Sequence, residues 1–241
     1  MTTPHPEKRP TASGAGPALG RRTWVEVDAL SAPALLVPLG SCEQHGPHLP
    51  LDTDSRIAVA VAELAAAGRD DVVVAPAVAY GSSGEHQSFA GTLSIGTEAL
   101  RAVLVELGRS AFPTAGAPYR SLTFVNGHGG NHDAVVGAVE VLVGEGRPVR
   151  AWTPRVPGGD AHAGRTETSL LLALAPAVVG EERPIGATAP LSELLAPLRA
   201  GGVASVSPSG VLGDATGASA QEGRSLLTAL VADLVAAIDG P

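Results

Sequence analysis

Short apolar runs alternate with helical patterns along this chain, and this alternation constrains its fold more than any other feature. Strands separated by helices pair side by side in parallel, and the helices cover both faces of the sheet. Near-continuous Val and Leu runs fit strands that are buried on both sides. The sequence therefore predicts a single α/β domain of three layers, with a mostly parallel central sheet flanked by helices. The predicted strands are 34–39, 72–75, 121–125 and 149–152, and the predicted helices are 54–66, 97–111, 132–145, 166–174, 189–198 and 218–238.

The sequence also predicts the bounds of the domain and the residues that cap two helices. Residues 1–20 are rich in Pro, Gly, Ser and Thr, so we expect a disordered tail ahead of one domain spanning 21–241. Asp54 or Ser55 is expected to cap the first long helix, and Thr97 the second.

Histidines and carboxylates gather in the segments that follow the predicted strands. In parallel sheets, ligands bind beyond the carboxyl ends of the strands, where neighbouring loops meet. Imidazole and carboxylate are ligands of divalent metals, so the sequence predicts a metal site at this edge. The histidines of these segments are His45, His48, His86, His128, His132 and His162, and the acids are Glu43, Asp52, Asp54, Glu85, Asp160 and Glu167.

The segment 38–54 carries the densest set of these groups. Alternate residues of an extended chain point the same way, so Glu43 and His45 can face one ion. Asp54 returns just before a helix begins, and its two carboxylate oxygens can bridge two ions. The alternative is that this polar loop is only a solvated turn.

Other chemistries fit the sequence less well. The phosphate-binding patterns G-x-x-x-x-G-K-[ST] and G-x-G-x-x-G are absent, as is the G-x-S-x-G nucleophile elbow. Cys42 is a candidate nucleophile with His45 as its base, but a lone cysteine is more often a small buried residue. A net charge of −8 argues against nucleic acid as a partner.

The expected setting is the cytoplasm. The single cysteine excludes an intramolecular disulfide and fits a reducing compartment. No apolar run approaches the roughly 20 residues that span a bilayer, so no membrane association is expected.

Three motifs resemble those of the creatininase family of metal-dependent amidohydrolases. They are the segments 40–54, 126–131 (Asn-Gly-His-Gly-Gly-Asn) and 162–169 (His-Ala-Gly-Arg-Thr-Glu-Thr-Ser), and they occur in the family's order. The resemblance implies one or two divalent ions (Zn, Fe(II) or Mn) and a homo-oligomer. It places Glu43, His45, Asp54 and His128 on the family's metal ligands, with Asp54 bridging. It also makes His162 a candidate proton donor.

One position departs from the family pattern. Creatininase carries a ligating Glu two residues after the His of its second motif, where this chain has Gly130. We expect Glu167 to replace that ligand, because it is acidic and lies at the start of a helix. The structural alternative is that Glu167 only favours the helix N-terminus.

The resemblance also implies a substrate. The segments 80–96, 158–168 and 201–214 are most similar to family members that act on a short modified peptide and release its C-terminal Val-Tyr-derived core. We expect His162 or Glu85 to protonate the leaving nitrogen, and the pocket to include His86 and Phe89, with Gly129 and Gly130. Phe89 can equally be simple loop packing. The alternative functions are a small-molecule amidohydrolase acting on a creatinine-type cyclic amide or a formamide, and a non-catalytic metal-binding scaffold.

Overall fold

The computed structural model describes residues 16–113 and 116–240. The strands are Ala34–Leu39 (β1), Val72–Val74 (β2), Ser121–Asn126 (β3) and Val149–Trp152 (β4). The helices are Trp24–Asp28 (α1), Thr53–Ala65 (α2), Thr97–Ala111 (α3), His132–Gly144 (α4), Arg165–Leu174 (α5), Leu191–Gly201 (α6) and Ala220–Asp239 (α7).

The four strands form one parallel sheet in the order β2-β1-β3-β4. This confirms the predicted parallel α/β architecture. β1 and β3 run side by side to their ends, with Leu39 opposite Asn126. The loops that leave these two strands therefore start next to each other, at the carboxyl edge of the sheet where ligands bind in such folds.

The alternating residues of the strands supply two apolar cores, one on each face of the sheet. On one face, Leu36 and Val74 pack with α2, α5 and α7. On the other face, Val37 and Phe124 pack with α3 and α4. All six residues of β1 are buried, as expected for a strand covered on both sides.

Three local expectations were wrong or incomplete. α2 begins at Thr53, and neither Asp54 nor Ser55 caps it, since Asp52 holds the N-cap position without a side-chain hydrogen bond. Gly96 holds the N-cap position of α3, and Thr97 is its first residue. The five-residue α1 was not predicted, and it begins with a capping box formed by Thr23 and Glu26.

The expected disordered tail lies largely outside the described residues. Its last residues do have structure: the amide N of Val74 donates to the carbonyl of Pro17 at 2.9 Å, and Ala18 pairs with Val74. Pro17 and Ala18 therefore extend the backbone pairing at the outer edge of β2, and the predicted disorder of residues 1–20 stays a prediction. None of the helices in the described part of the chain combines the length and apolar character that crossing a bilayer requires.

Candidate metal centre

The loop after β1 folds back on itself and presents its polar side chains to the interior. The amide N of Glu43 donates to the carbonyl of Leu51 at 3.0 Å, and His45 pairs with Leu49 across the fold of the loop. Glu43 and His45 are completely buried, and Asp54 in the first turn of α2 is nearly so. The structure brings ligand atoms of these three side chains within 4.8 Å of one another.

Glu43 is a buried carboxylate that the rest of the protein does not satisfy. Neither of its oxygens has a hydrogen-bond partner among the residues that the structure describes. Its surroundings are imidazole nitrogens: Glu43 Oε2 lies 3.1 Å from His128 Nε2, while Oε1 lies 3.5 Å from His86 Nε2 and 3.7 Å from His162 Nδ1. A buried carboxyl group without hydrogen bonds is costly to ionise, and a bound cation removes that cost. This arrangement therefore fits a cation in contact with Glu43.

Asp54 lies between two histidines, and each of its oxygens faces one of them. Oδ1 is 3.0 Å from His45 Nε2, and Oδ2 is 3.2 Å from His128 Nδ1. Ser41 Oγ donates to Oδ2 at 2.7 Å and holds the carboxylate in this orientation. A carboxylate placed in this way is suited to bridge two ions, as the sequence predicts for Asp54.

Backbone carbonyls determine which nitrogen of each histidine is available to an ion. His45 Nδ1 lies 3.1 Å from the carbonyl O of Glu43, and His128 Nε2 lies 3.1 Å from the carbonyl O of Ser82. A carbonyl only accepts, so these nitrogens carry the hydrogen. His45 Nε2 and His128 Nδ1 are then left to bind metal, and both face Asp54.

Glu167 reaches the same centre from the first turn of α5. Its Oε2 is 3.8 Å from His45 Nε2 and accepts from the amide N of Ala163 at 2.6 Å. Asp160, and not Glu167, accepts from the N-terminal amides of α5, those of Arg165 and Thr166. The helix start is therefore satisfied without Glu167, whose carboxylate is turned toward the histidines.

Gly130 has no room for a side chain. A Cβ at this position would meet the carbonyl O of Ser82, His128 Nε2 and, at 2.6 Å, Oε1 of Glu85. Glu85 Oε1 also lies 3.8 Å from His128 Nε2. The volume that a glutamate at position 130 would enter is thus taken by a carboxylate from the loop that follows β2.

His86 and His162 complete the group of imidazoles. Their ring centroids are 4.5 Å apart, and the His162 centroid is 4.3 Å from that of His45. The side-chain Nε2 of Gln44 lies between them, 2.8 Å from His86 Nδ1 and 3.1 Å from His162 Nε2.

Burial and close charges shift the pKa values of these groups in opposite directions. Burial raises the pKa of Glu43 to about 8 and that of Glu167 to about 7. Burial works against the charge on His45 and His128, but the neighbouring carboxylates outweigh it and raise their pKa values to about 10 and about 9. The carboxylate that pairs with both histidines, Asp54, is also buried, yet their charges hold its pKa well below its usual range.

The two remaining histidines of this cluster, His86 and His162, are neutral. Burial lowers the pKa of His86 to about 3 and holds that of His162 well below its usual range. These two rings are therefore neutral at physiological pH, so each carries one N–H and one unprotonated nitrogen.

The side-chain spacings match those of metal ligands. Ligand atoms about 2.1 Å from a tetrahedral ion stand about 3.4 Å apart. The contacts that His45 Nε2 makes with Asp54 and Glu167, 3.0 and 3.8 Å, lie on either side of this value. The residues present therefore fit divalent ions, with imidazole and carboxylate donors that suit Zn, Mn and Fe(II).

Two cavities meet at this centre. The first, of roughly 670 Å³, contains the histidines and is bounded by Glu85 and by Leu191, Leu195, Leu198 and Arg199 of α6. The second, of roughly 1140 Å³, lies against α5 and α7. Gly129, Glu167 and Leu191 line both cavities, so a long ligand can extend to either side of the metal centre.

Several predicted residues lie elsewhere or play another part. His48 Nε2 contacts Thr168 Oγ1 at 2.8 Å, and Asp52 pairs with Arg56, so neither faces the centre. His132 is exposed at the cavity edge. Phe89 is half-buried but does not line either cavity, so its substrate role stays a prediction.

Sequence reasoning missed the polar side chains that hold the ligands in place. Ser41 orients Asp54, and Gln44 contacts two histidines. Asn131 accepts from the amide N of Ser82 at 2.9 Å and donates to the carbonyl of Gly40 at 3.0 Å, which ties together the loops after β1, β2 and β3. In the sequence, the one indication of their importance was that they lie inside the segments 40–54 and 126–131.

The family comparison agrees with this geometry. The model of the family described as "Creatininase: Creatinine amidohydrolase" matches residues 20–238. The chain belongs to the creatininase family. The resemblance noted from the three motifs is thereby confirmed, and the chain is a metal-dependent amidohydrolase of that family.

Similar proteins include peptidases and solved creatininases. The mycofactocin precursor peptide peptidase of Mycobacterium tuberculosis is 54% identical over 228 residues, covering 90% of this chain and 88% of that protein. The protein of the same name from Mycobacterium ulcerans is 56% identical over 215 residues, covering 86% and 84%. Among solved structures, a manganese form of creatininase is 26% identical with a TM-score of 0.78, and a Zn-Zn form of a mutant creatininase is 25% identical with a TM-score of 0.78. Each of these two covers 92% of this chain and 97% of the solved chain.

Proposed function

We propose that this chain is a peptidase that hydrolyses an amide bond of the mycofactocin precursor peptide and releases its C-terminal Val-Tyr-derived core. The substrate follows from relatives of that name at 54% and 56% identity over most of the chain. The observation that carries the chemistry is Glu43, which is fully buried among imidazoles and has no hydrogen bond to either carboxylate oxygen from the described residues. A bound cation would stabilise such a carboxylate, whereas burial in an apolar core would destabilise the fold.

Five residues would hold the ions: Glu43, His45, Asp54, His128 and Glu167. His45 and Glu167 lie on one side of Asp54, and His128 and Glu43 lie on the other, so these residues would hold one or two divalent ions. Bound divalent ions supply Lewis acidity, which activates water at neutral pH and polarises a carbonyl. Zn and Mn are favoured by the two solved creatininases, and Fe(II) accepts the same donors.

His162 and Glu85 are the proposed proton-transfer groups. His162 Nδ1 faces Glu43 at 3.7 Å and lines the cavity, so it can take a proton and return it to the leaving nitrogen. Glu85 lies at the edge of the same cavity, with its side chain 35% exposed, and is the alternative donor.

The two cavities favour a peptide over a compact small molecule. Pockets of roughly 300–1,000 Å³ hold drug-sized ligands. Here a cavity in this range, roughly 670 Å³, meets a larger one of roughly 1140 Å³ at the metal centre. Leu191, Leu195 and Leu198 follow helical spacing and line the first cavity, which suits an apolar end of the substrate. We propose that His86, Gly129 and Gly130 border this substrate site.

The direct test is incubation of metal-loaded protein with the modified precursor peptide, followed by mass spectrometry. Release of the C-terminal core is expected from the wild type. Loss of bound metal and cleavage together is expected from His45→Ala and His128→Ala, with circular dichroism showing a retained fold. Hydrolysis of creatinine or a formamide in place of the peptide would favour the small-molecule alternative. Absence of any turnover with metal bound would favour a scaffold.

We also propose that the protein works in the cytoplasm as a homo-oligomer. Its one cysteine fits a reducing compartment. Trp24 is 78% exposed and Val25 54% exposed on α1, and exposed apolar groups of this kind are common at contacts between subunits. Light scattering coupled to size-exclusion chromatography tests the assembly, and a monomer would contradict it.

A further inference from the structure

Gln44 is a buried amide whose own orientation is fixed by the backbone. Its Oε1 lies 2.8 Å from the amide N of Gly46, which can only donate, and its Nε2 lies 3.1 Å from the carbonyl O of Gly210, which can only accept. These two contacts decide which end of the side chain is oxygen and which is nitrogen. Gly210 has a φ of +80°, and a Cβ there would collide with Gln44, so a glycine is required at that position.

The same amide nitrogen contacts two histidines, although it has only two hydrogens. One hydrogen is used by Gly210. The second can go to His86 Nδ1, at 2.8 Å, or to His162 Nε2, at 3.1 Å. The choice decides where the protons of both histidines lie.

The backbone carbonyl of Gln44 resolves this choice. It lies 2.9 Å from His162 Nε2, and because a carbonyl only accepts, His162 Nε2 must carry a hydrogen and donate it. The second amide hydrogen of Gln44 is then free for His86 Nδ1, which must lack a hydrogen. If the second amide hydrogen went to His162 Nε2 instead, that nitrogen would carry a lone pair and face the carbonyl oxygen of Gln44. The 2.8 Å contact between Gln44 Nε2 and His86 Nδ1 would then have no hydrogen bond.

We propose that Gln44 is a positioning residue that sets the tautomers of His86 and His162, so that they present opposite groups to the metal centre. His86 turns an Nε2–H toward the centre, 3.5 Å from Glu43 Oε1. His162 turns the unprotonated Nδ1 toward it, 3.7 Å from the same oxygen. His162 is thus the proton acceptor, and His86 is the hydrogen-bond donor for a developing oxyanion. These roles rest on the proposed hydrolytic function.

The first test reads the tautomers of the zinc-loaded wild-type protein. Long-range ¹H–¹⁵N spectra of the imidazoles distinguish the nitrogen that carries a proton from the one that does not. We expect both His86 and His162 to be Nε2–H tautomers. A protonated Nδ1 on His86, or an unprotonated Nε2 on His162, overturns the proposal whether or not the protein cleaves any peptide.

The second test replaces the amide. Gln44→Glu substitutes an acceptor for the donor, so His86 should move its proton to Nδ1 and no longer present N–H to the centre. We expect kcat for the peptide to fall by about 100-fold or more, the lower end of what a proton-transfer group contributes, with KM changed less than about twofold. Gln44→Met removes both polar ends and should leave His86 without a single preferred tautomer.

Matched measurements separate positioning from a structural role. Gln87→Glu makes the same change at an exposed residue beside His86 and should keep kcat within about twofold. Metal content and melting temperature of the Gln44 variants show whether the centre has formed. The positioning role of Gln44 is refuted if Gln44→Glu binds metal fully and keeps both the histidine tautomers and kcat of the wild type. It is also refuted if the substitution raises KM and leaves kcat unchanged.

Discussion

Metal binding to this protein at pH 7 is expected to release about three protons. In the absence of ions, the pKa values of Glu43, His128 and His45 are raised to about 8, 9 and 10. All three side chains therefore carry at pH 7 a proton that an ion must displace, because metal ligands bind in deprotonated form. Glu167, with a pKa of about 7, adds roughly half a proton, and Asp54 has none to give.

Proton release makes affinity strongly dependent on pH. Each released proton changes the apparent binding constant tenfold per pH unit, so about three protons correspond to roughly 1,000-fold between pH 6.5 and 7.5. The direction is fixed: affinity rises with pH, since protons and ions compete for the same atoms.

Isothermal titration calorimetry in two buffers of different ionisation enthalpy measures the number of protons directly. The slope of the observed enthalpy against the ionisation enthalpy of the buffer gives the count. Glu43→Gln should release about one proton fewer, because the amide has none to lose. Glu181→Gln, a matched change at an exposed position, should leave the count unchanged.

A release of less than one proton would refute the reasoning. It would mean that the buried carboxyl and imidazole groups are already deprotonated before the ion arrives, or that the ion binds elsewhere. An unchanged count in Glu43→Gln would show that Glu43 carries no proton for the ion to displace.

Four further outcomes are expected. Without ions, Glu43, His45 and His128 keep their protons to about pH 8 or above in the folded protein but lose them at lower pH in the unfolded chain, so the melting temperature should fall as pH rises from 7 to 9; a rising melting temperature by calorimetry contradicts this. Glu167→Gln should lower metal affinity by more than about 100-fold and abolish turnover, whereas exposed Glu182→Gln should change neither; near-normal metal content would leave Glu167 a purely structural group. Cys42→Ser should retain most activity, since the proposed metal-based mechanism needs no thiol and Cys42 Sγ donates to the carbonyl of Gly91 at 3.7 Å; lost turnover with metal bound would revive the thiol mechanism. Gly130→Ala should displace His128 or Glu85 and reduce metal content at equilibrium dialysis, and full occupancy would show that the loop adjusts.

The fold could be predicted closely because it depends on local patterns. The apolar runs of β1 and β3 and the helices between them follow from periodicity, and parallel pairing follows from alternation. The errors were at element ends, as at Asp54 and Thr97, where the cap depends on which neighbouring groups the loop brings near. The pairing of Ala18 with the edge of the sheet was missed because it depends on backbone hydrogen bonds and carries little side-chain pattern.

The composition of the metal centre was largely contained in the sequence, but its geometry was not. The residue types, the loops that carry them and their place after strands gave a wider set of histidines and acids. The resemblance to the creatininase family selected Glu43, His45, Asp54, His128 and Glu167 from that set. The sequence left open whether Glu167 serves α5 or the metal centre, and only the folded chain shows Asp160 at the helix start and Glu167 turned inward.

The sequence alone indicates which side chains lie at the same edge of the sheet. The tertiary structure decides which nitrogen or oxygen atom of each side chain faces the metal centre. Residues 44, 86, 162 and 210 are far apart in sequence, yet the proton positions of two histidines depend on one amide held among all of them. Gly130 is a second example. The sequence shows that a carboxylate is missing at this position, and the structure shows that the Glu85 side chain occupies the space that such a carboxylate would need. The physical reason is that hydrogen bonds and steric exclusion act over a few ångströms, and a sequence records no distances between loops.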